Sequence, residues 1–179
     1  MSNVSGVTFR LAEPDDASAL ARLRYEFRAS YEAATEPEAN FLERCTRWMS
    51  DHLVAGHSWR CWVAEESTHL IGSVWLHLIE KLPNPVEEPE CHGYISSLYV
   101  VPSRRNAGVG SCLLEGCIRV CIDEGVDAIV LWPTPDSRRL YERYDFAVRD
   151  DLLERRLGPT QNADSPETVS SLRRSNCSP

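Results

Sequence analysis

The stretch Ser97 to Leu114, SLYVVPSRRNAGVGSCLL, constrains the fold more than any other part of the chain. A β-rich run stops at Pro102, arginines follow at 104 and 105, and glycines stand at 108 and 110 before a long segment of apolar periodicity. A strand, a closed turn and a helix in that order set the helix N-terminus beside the strand's end. The first amides of a helix have no partner inside it and sit at the positive end of its dipole, so they bind anions. Without a Cβ, Gly108 and Gly110 let an anion approach that backbone closely. The two arginines add charge. The stretch reads as a phosphate cradle.

The helix itself predicts a sheet. From Gly108 to Glu124, Val109, Leu113, Cys117 and Val120 form one apolar stripe and Leu114, Ile118 and Ile122 a second. A face that wide packs against strands. Upstream, Val7 to Ala12 reads as a first strand. Pro14 with Asp15 and Asp16 opens a helix through Leu20, Leu23 and Phe27, and a second helix carries Phe41 to Leu53 and stops at Gly56. Trp59 to Glu65 and Leu70 to Ile79 form an antiparallel pair, and the Pro- and Glu-rich Lys81 to Glu90 is a solvated loop before the strand Gly93 to Val101. After the long helix come a buried strand at Asp127 to Trp132, a short helix at Pro135 to Arg143, and a last pair of strands within Phe146 to Leu157. The order describes an α/β fold, a mixed sheet covered by helices.

Composition bounds the remainder. The chain has 179 residues, 42% of them apolar and 26% charged, which fits one compact domain at residues 1–157. The polar, Ser/Thr/Pro-rich residues 158–179 read as a disordered tail. A net charge of -8 argues against a broad nucleic-acid surface. No apolar run reaches the roughly 20 residues that span a bilayer, and Met1 to Thr8 lacks a signal-peptide pattern, so a cytoplasmic location is expected. The 7 cysteines form no C-x-x-C pair and, with the scattered histidines, no metal site is expected; Cys112, Cys117 and Cys121 are read as packing residues.

Two phosphate-binding classes fail on the residues. A P-loop needs lysine and a hydroxyl after its second glycine, where Ser111 and Cys112 stand. A dinucleotide fingerprint needs glycine at Leu113 and an acid at the far end of the next strand, whereas Asp127 stands at its beginning. Instead, Arg105-Asn106-Ala107-Gly108-Val109-Gly110 matches an R/Q-x-x-G-x-G/A signature. With Leu98-Tyr99-Val100-Val101-Pro102 before it, the stretch resembles the acetyl-CoA loop of the GCN5-related N-acetyltransferase (GNAT) family. A second block, Ser137-Arg138-Arg139-Leu140-Tyr141-Glu142-Arg143-Tyr144-Asp145-Phe146, is similar to the A-x-x-L-Y-E-x-x-G-F segment on that family's last helix.

The resemblance implies a mostly antiparallel sheet of six to seven strands with about four helices, splayed between strands 4 and 5 around the pantetheine arm. It implies acetyl-CoA as co-substrate and direct acetyl transfer to a primary amine in a ternary complex. The alternative on this fold is a non-catalytic acyl-CoA sensor or interaction module. Carried over by position, the main chain of Leu98 and Val100 pairs with the pantetheine, the amides from Arg105 or Asn106 through Gly108 and Gly110 to Ser111 hold the pyrophosphate, and Tyr141 protonates the departing thiolate. A main-chain amide on the Leu98 to Val100 strand serves the developing oxyanion.

The chain departs from the family pattern at three positions. Tyr94 stands where some members carry a glutamate base, which leaves Glu90, His92, Ser96 or Ser97, or a water chain, to take the amine's proton. Thr134 replaces a frequent asparagine, and Asp145 replaces the glycine before the final Phe. The acceptor is a small molecule or peptide, and Glu32, Glu36, Glu38, Glu87, Glu88 and Glu90 raise the hypothesis that it is cationic. A homodimer is compatible with the resemblance.

Overall fold

The computed structural model describes residues 4–155 and residue 157. Its four α-helices are α1 Ala17–Ala29, α2 Glu38–His52, α3 Val109–Asp123 and α4 Arg138–Glu142. They cover a sheet whose five strands lie side by side in chain order: β1 Thr8–Leu11, β2 Trp59–Glu66, β3 His69–Glu80, β4 Cys91–Val100 and β5 Ala128–Val130. Neighbours are antiparallel except β4 and β5, which run parallel because α3 carries the chain back between them. The β2–β3 link is two residues, Ser67 (φ 48) and Thr68 (φ 71), both left-handed as a type I′ hairpin turn requires.

Period-2 alternation divides the core between the two faces of the sheet. Cys61, Val63 and Trp75 pack on Leu20, Ala21 and Met49 of α1 and α2. Ala64, Val74, Leu76 and Ile95 pack on Leu113, Leu114, Cys117 and Cys121 of α3, with Tyr141 of α4. Fully burying a Leu or Ile side chain contributes about 1.5–3 kcal/mol, so Leu20, Leu76, Ile95, Leu113 and Leu114 anchor both layers. A Cβ on Gly116, in mid-α3, would come within 2.9 Å of the Trp62 ring. That glycine costs the helix about 1 kcal/mol and lets it sit directly on β2.

The sheet opens at one end. β4 and β5 pair only through His92–Ala128, Gly93–Ile129 and Tyr94–Val130. Beyond Tyr94, β4 continues to Val100 with β3 on one side and, among the described residues, no strand on the other. Trp132 packs edge-on against Tyr94 at the fork, ring centroids 5.3 Å apart.

Six to seven strands are expected from the sequence, and five form among the described residues. The pair expected within Phe146 to Leu157 does not form among the described residues. A strand needs a partner edge and a buried face, but Val148 is 77% and Leu153 93% exposed, and Arg149 turns back onto Asp151. β5 is also shorter than the run Asp127 to Trp132, and so short a strand offers little edge to extend. The tail read at 158–179 lies outside the described residues. No helix among the described residues is long and apolar enough to cross a membrane.

Candidate active site

The cradle is built where β4 meets α3. After Val100 the chain makes a short 3-10 turn at Pro102–Arg104, closed by the Arg104 N–H donating to the Val101 carbonyl at 3.0 Å. Asn106 (φ 60) and Gly108 (φ 86) then take left-handed conformations, and Gly108 is the N-cap of α3. Asn tolerates that region better than most residues, and Gly adopts it freely. Among the described residues, the amides of 106–111 donate to no main-chain carbonyl; the first such bond runs from the Cys112 N–H to the Gly108 oxygen at 3.1 Å. These N–H groups crown a helix of 15 residues. Gly110 lies between α3, α4 and β4: a Cβ there would meet Leu140 Cδ2 at 3.7 Å and Val100 Cγ2 at 3.8 Å.

The open edge of β4 leads into this loop. The Val101 N–H donates to the Ile71 oxygen on β3 at 2.9 Å. The Val100 carbonyl, on the opposite side of the same planar peptide, therefore faces the open side. There Arg105 Nε donates to it at 3.0 Å, with the guanidinium 5.7 Å from the Tyr99 ring centroid. Arg104 is instead tied to Glu66 at the end of β2. Leu98 packs on the α3 side of the core. Just before it, Ser97 (φ 54) forms a bulge: Ser97 and Leu98 span the interval between the pairs Trp75–Ser96 and Ser73–Tyr99 that β3 crosses with Val74 alone.

The structure puts Tyr141 on α4, only 8% exposed, its ring 5.7 Å from Phe146. Burial, with a smaller push from Cys117, raises its hydroxyl to about 12, so it is protonated at neutral pH. No residue among those described hydrogen-bonds that hydroxyl. The Tyr144 hydroxyl donates to Glu115 at 2.8 Å. Burial first and this bond second push the Tyr144 pKa up, while Ser111 opposes the shift. Thr134 and Ser137 close a turn just before α4, their hydroxyls 3.0 Å apart and the Thr134 N–H donating to Ser137 Oγ at 2.9 Å. Thr134 is thus committed to a turn. Asp145 is left-handed at φ 62, which accounts for glycine being usual there.

No single candidate base stands out. Glu90 and His92 lie at the closed end of β4; Glu90 accepts from the Asn84 N–H at 3.2 Å, and His92 Nδ1 is 3.8 Å from Asp127. Ser96 is paired across from Trp75. Two α1 residues that the sequence does not single out do reach β4. Arg24 Nη1 donates to the Ser97 hydroxyl at 2.9 Å, and Glu26 accepts from the Tyr99 hydroxyl at 3.4 Å. Both contacts span 73 residues, so no local spacing announces them.

The sheet thus forks beside the start of a helix whose first amides have no main-chain acceptor among the described residues. The chain belongs to the acetyltransferase (GNAT) family, whose model matches residues 20–146. Solved structures share the fold. A predicted acetyltransferase from Clostridium acetobutylicum, crystallised with acetyl-CoA, superposes with a TM-score of 0.70 at 24% identity, covering 84% of this chain and 96% of the other. A GCN5-related N-acetyltransferase from Ralstonia eutropha JMP134 gives 0.66 at 26% identity, covering 86% and 100%. Glucosamine-6-phosphate N-acetyltransferase from Arabidopsis thaliana gives 0.64 at 15% identity, covering 85% and 99%. No curated protein matches.

Proposed function

We propose that residues 1–157 form an N-acetyltransferase that moves an acetyl group from acetyl-CoA directly to a primary amine within a ternary complex. The observation that carries this reading is the continuity between the open edge of β4 and the free amides of 106–111. The residues present fit the donor. Amides 106–111, with Gly108 and Gly110 keeping side chains out of the way, would hold the pyrophosphate. Main-chain groups of Leu98 and Val100 would pair with the pantetheine arm, and Arg105 would leave the Val100 carbonyl for the phosphates.

Acetyl-CoA supplies an activated thioester carbonyl. This chain's residues position the amine, stabilise charge on the carbonyl oxygen and return a proton to sulfur. The bulge at Ser97 turns the main chain beside Leu98, the place we assign to the oxyanion donor. Tyr141 is the proton donor. With a phenol raised to about 12 and a thiol near the ordinary 8.5, transfer would be uphill by roughly 5 kcal/mol. A thiolate in the same dry site is raised by the same desolvation, which narrows that gap.

The amine needs no enzyme nucleophile. Burial pushes the Cys112 and Cys117 thiols up and Cys121 to about 11, so none is a thiolate at neutral pH. No disulfide joins the described cysteines, which suits the cytoplasm.

Release of CoA thiol across a panel of primary amines tests the reading. Amine-dependent release supports it. Acetyl-CoA binding without release for any amine favours the sensor reading, to which Tyr94 in place of a carboxylate points. No acetyl-CoA binding overturns both.

A further inference from the structure

Two arginines of α1 have no part in that chemistry. Arg24 is half-buried, with one donor spent on the Ser97 hydroxyl at 2.9 Å and its guanidinium 5.6 Å from the Phe27 ring centroid. Among the described residues, no carboxylate lies within ion-pair distance of Arg24 or of Arg28, one helical turn on. A guanidinium has five donors, and holding one partly desolvated without a counter-charge is costly. Burial first, then the charge of Arg28, presses its pKa down, as expected of a cation that lacks an anion.

Both arginines line a cavity of about 290 Å³ between the end of α1, the loop after it and the start of α2, with Tyr25 and Phe41 as apolar walls. Through Arg24 it adjoins Ser97, the bulged residue next to Leu98. Tyr94 is also near enough to feel the Arg24 charge, so a cation neighbours the position where some relatives carry an acid. Three of the six acids that suggest a cationic acceptor are engaged elsewhere. Glu36, in the cavity wall, pairs with Arg44; Glu88 lies 3.8 Å from Lys81; and Glu90 binds Asn84. Glu32 is the other carboxylate in the cavity lining.

Resting on the acetyl-transfer reading, we infer that this cavity takes an acceptor amine bearing an anionic group, a carboxylate or phosphate, gripped by Arg24 and Arg28. The anion supplies the missing counter-charge, and charge-assisted, bidentate bonding favours it over a neutral isostere. Held there, the acceptor lies beside the Ser97 bulge.

Matched acceptors test the inference: β-alanine against β-alaninamide, and O-phosphoethanolamine against ethanolamine, assayed by CoA thiol release. The anionic member of at least one pair should show a kcat/KM about tenfold or more higher. Arg24→Gln and Arg28→Gln should each lower the anionic-to-neutral ratio by about tenfold, mainly through KM. Arg22→Gln, at an exposed α1 residue that does not line this cavity, should leave the ratio unchanged. Arg28 is exposed, so its variant keeps the test alive if Arg24→Gln does not fold. As a readout independent of turnover, anionic amines should further raise the melting temperature of the complex with CoA, which carries no acetyl group to transfer. Neutral members turned over as well as anionic ones, ratios unmoved in both variants, or neither turnover nor binding of any anionic amine overturns the inference. A wild-type protein whose melting temperature does not respond to acetyl-CoA identifies failure of the underlying reading instead.

Discussion

Gly108 and Gly110 occupy one signature, but the structure assigns them opposite energetics. At Gly108 the φ of 86 is the constraint: a Cβ would meet nothing nearer than Val4 Cγ2 at 3.7 Å, so Gly108→Ala has room but suffers backbone strain of about 1–2 kcal/mol. At Gly110 the backbone is helical and the added methyl makes ordinary contacts at 3.7 and 3.8 Å, so Gly110→Ala should stabilise the unliganded protein by up to about 1 kcal/mol. For a domain of this size those energies correspond to a fall of about 2–8 °C in Tm for Gly108→Ala and a rise of up to about 4 °C for Gly110→Ala. A methyl at Gly110 stays within the G/A allowance of the signature, whereas a bulky side chain there fills the space proposed for the donor. Acetyl-CoA should therefore bind Gly110→Ala about as tightly as the wild type and Gly110→Leu at least about tenfold more weakly, a loss of about 1.4 kcal/mol. Thermal melts with and without acetyl-CoA, backed by calorimetric titration, read both effects. A folded Gly110→Leu protein that binds acetyl-CoA as tightly as the wild type would refute the assignment of the cradle.

Four further outcomes follow from the geometry. Tyr141→Phe should lower kcat by about 10²-fold while leaving the acetyl-CoA-induced rise in Tm intact, as expected for a general acid. Because burial lifts the Tyr141 hydroxyl from its ordinary 10 to about 12, the unfolded chain ionises first. Stability should then fall between about pH 10 and 12, and Tyr141→Phe should flatten that fall in alkaline melts. Asp145→Gly should stabilise the fold by about 1 kcal/mol in denaturant titrations by relieving the left-handed φ of 62, whereas Asp145→Val should destabilise it. Mass spectrometry after exposure to acetyl-CoA alone should find no acetyl group on Cys112 or Cys117, whose buried thiols are held protonated.

Much of this fold was legible because its signals are local. Pro102 closing a strand, Gly108 and Gly110 opening a helix, and the wide apolar face of α3 all announce themselves within a few residues. The fork between β4 and β5 came with the family resemblance, and the three-pair ladder at His92–Tyr94 agrees with it. What escaped depends on distant contacts or on backbone states that side chains do not advertise. Ser97 takes a positive φ that nothing in a serine predicts. Leu152 and Leu153 follow the apolar pattern of a strand but find no edge to join, so the last two strands are missing. Gly116 looks like a weak point in a helix until Trp62 lies against it. Arg24 is one polar residue on a helix until folding brings it to Ser97.

The amides at the start of α3 provide the most direct test of the account. Residue-resolved hydrogen exchange on the protein alone and with saturating acetyl-CoA should show the amides of 106–111, which have no main-chain acceptor among the described residues, becoming protected together with the Val100 amide on the open edge of β4. Saturation with acetyl-CoA that leaves those amides unprotected, or protects a different helix terminus, would contradict the claim that the strand end and the α3 cradle hold the donor.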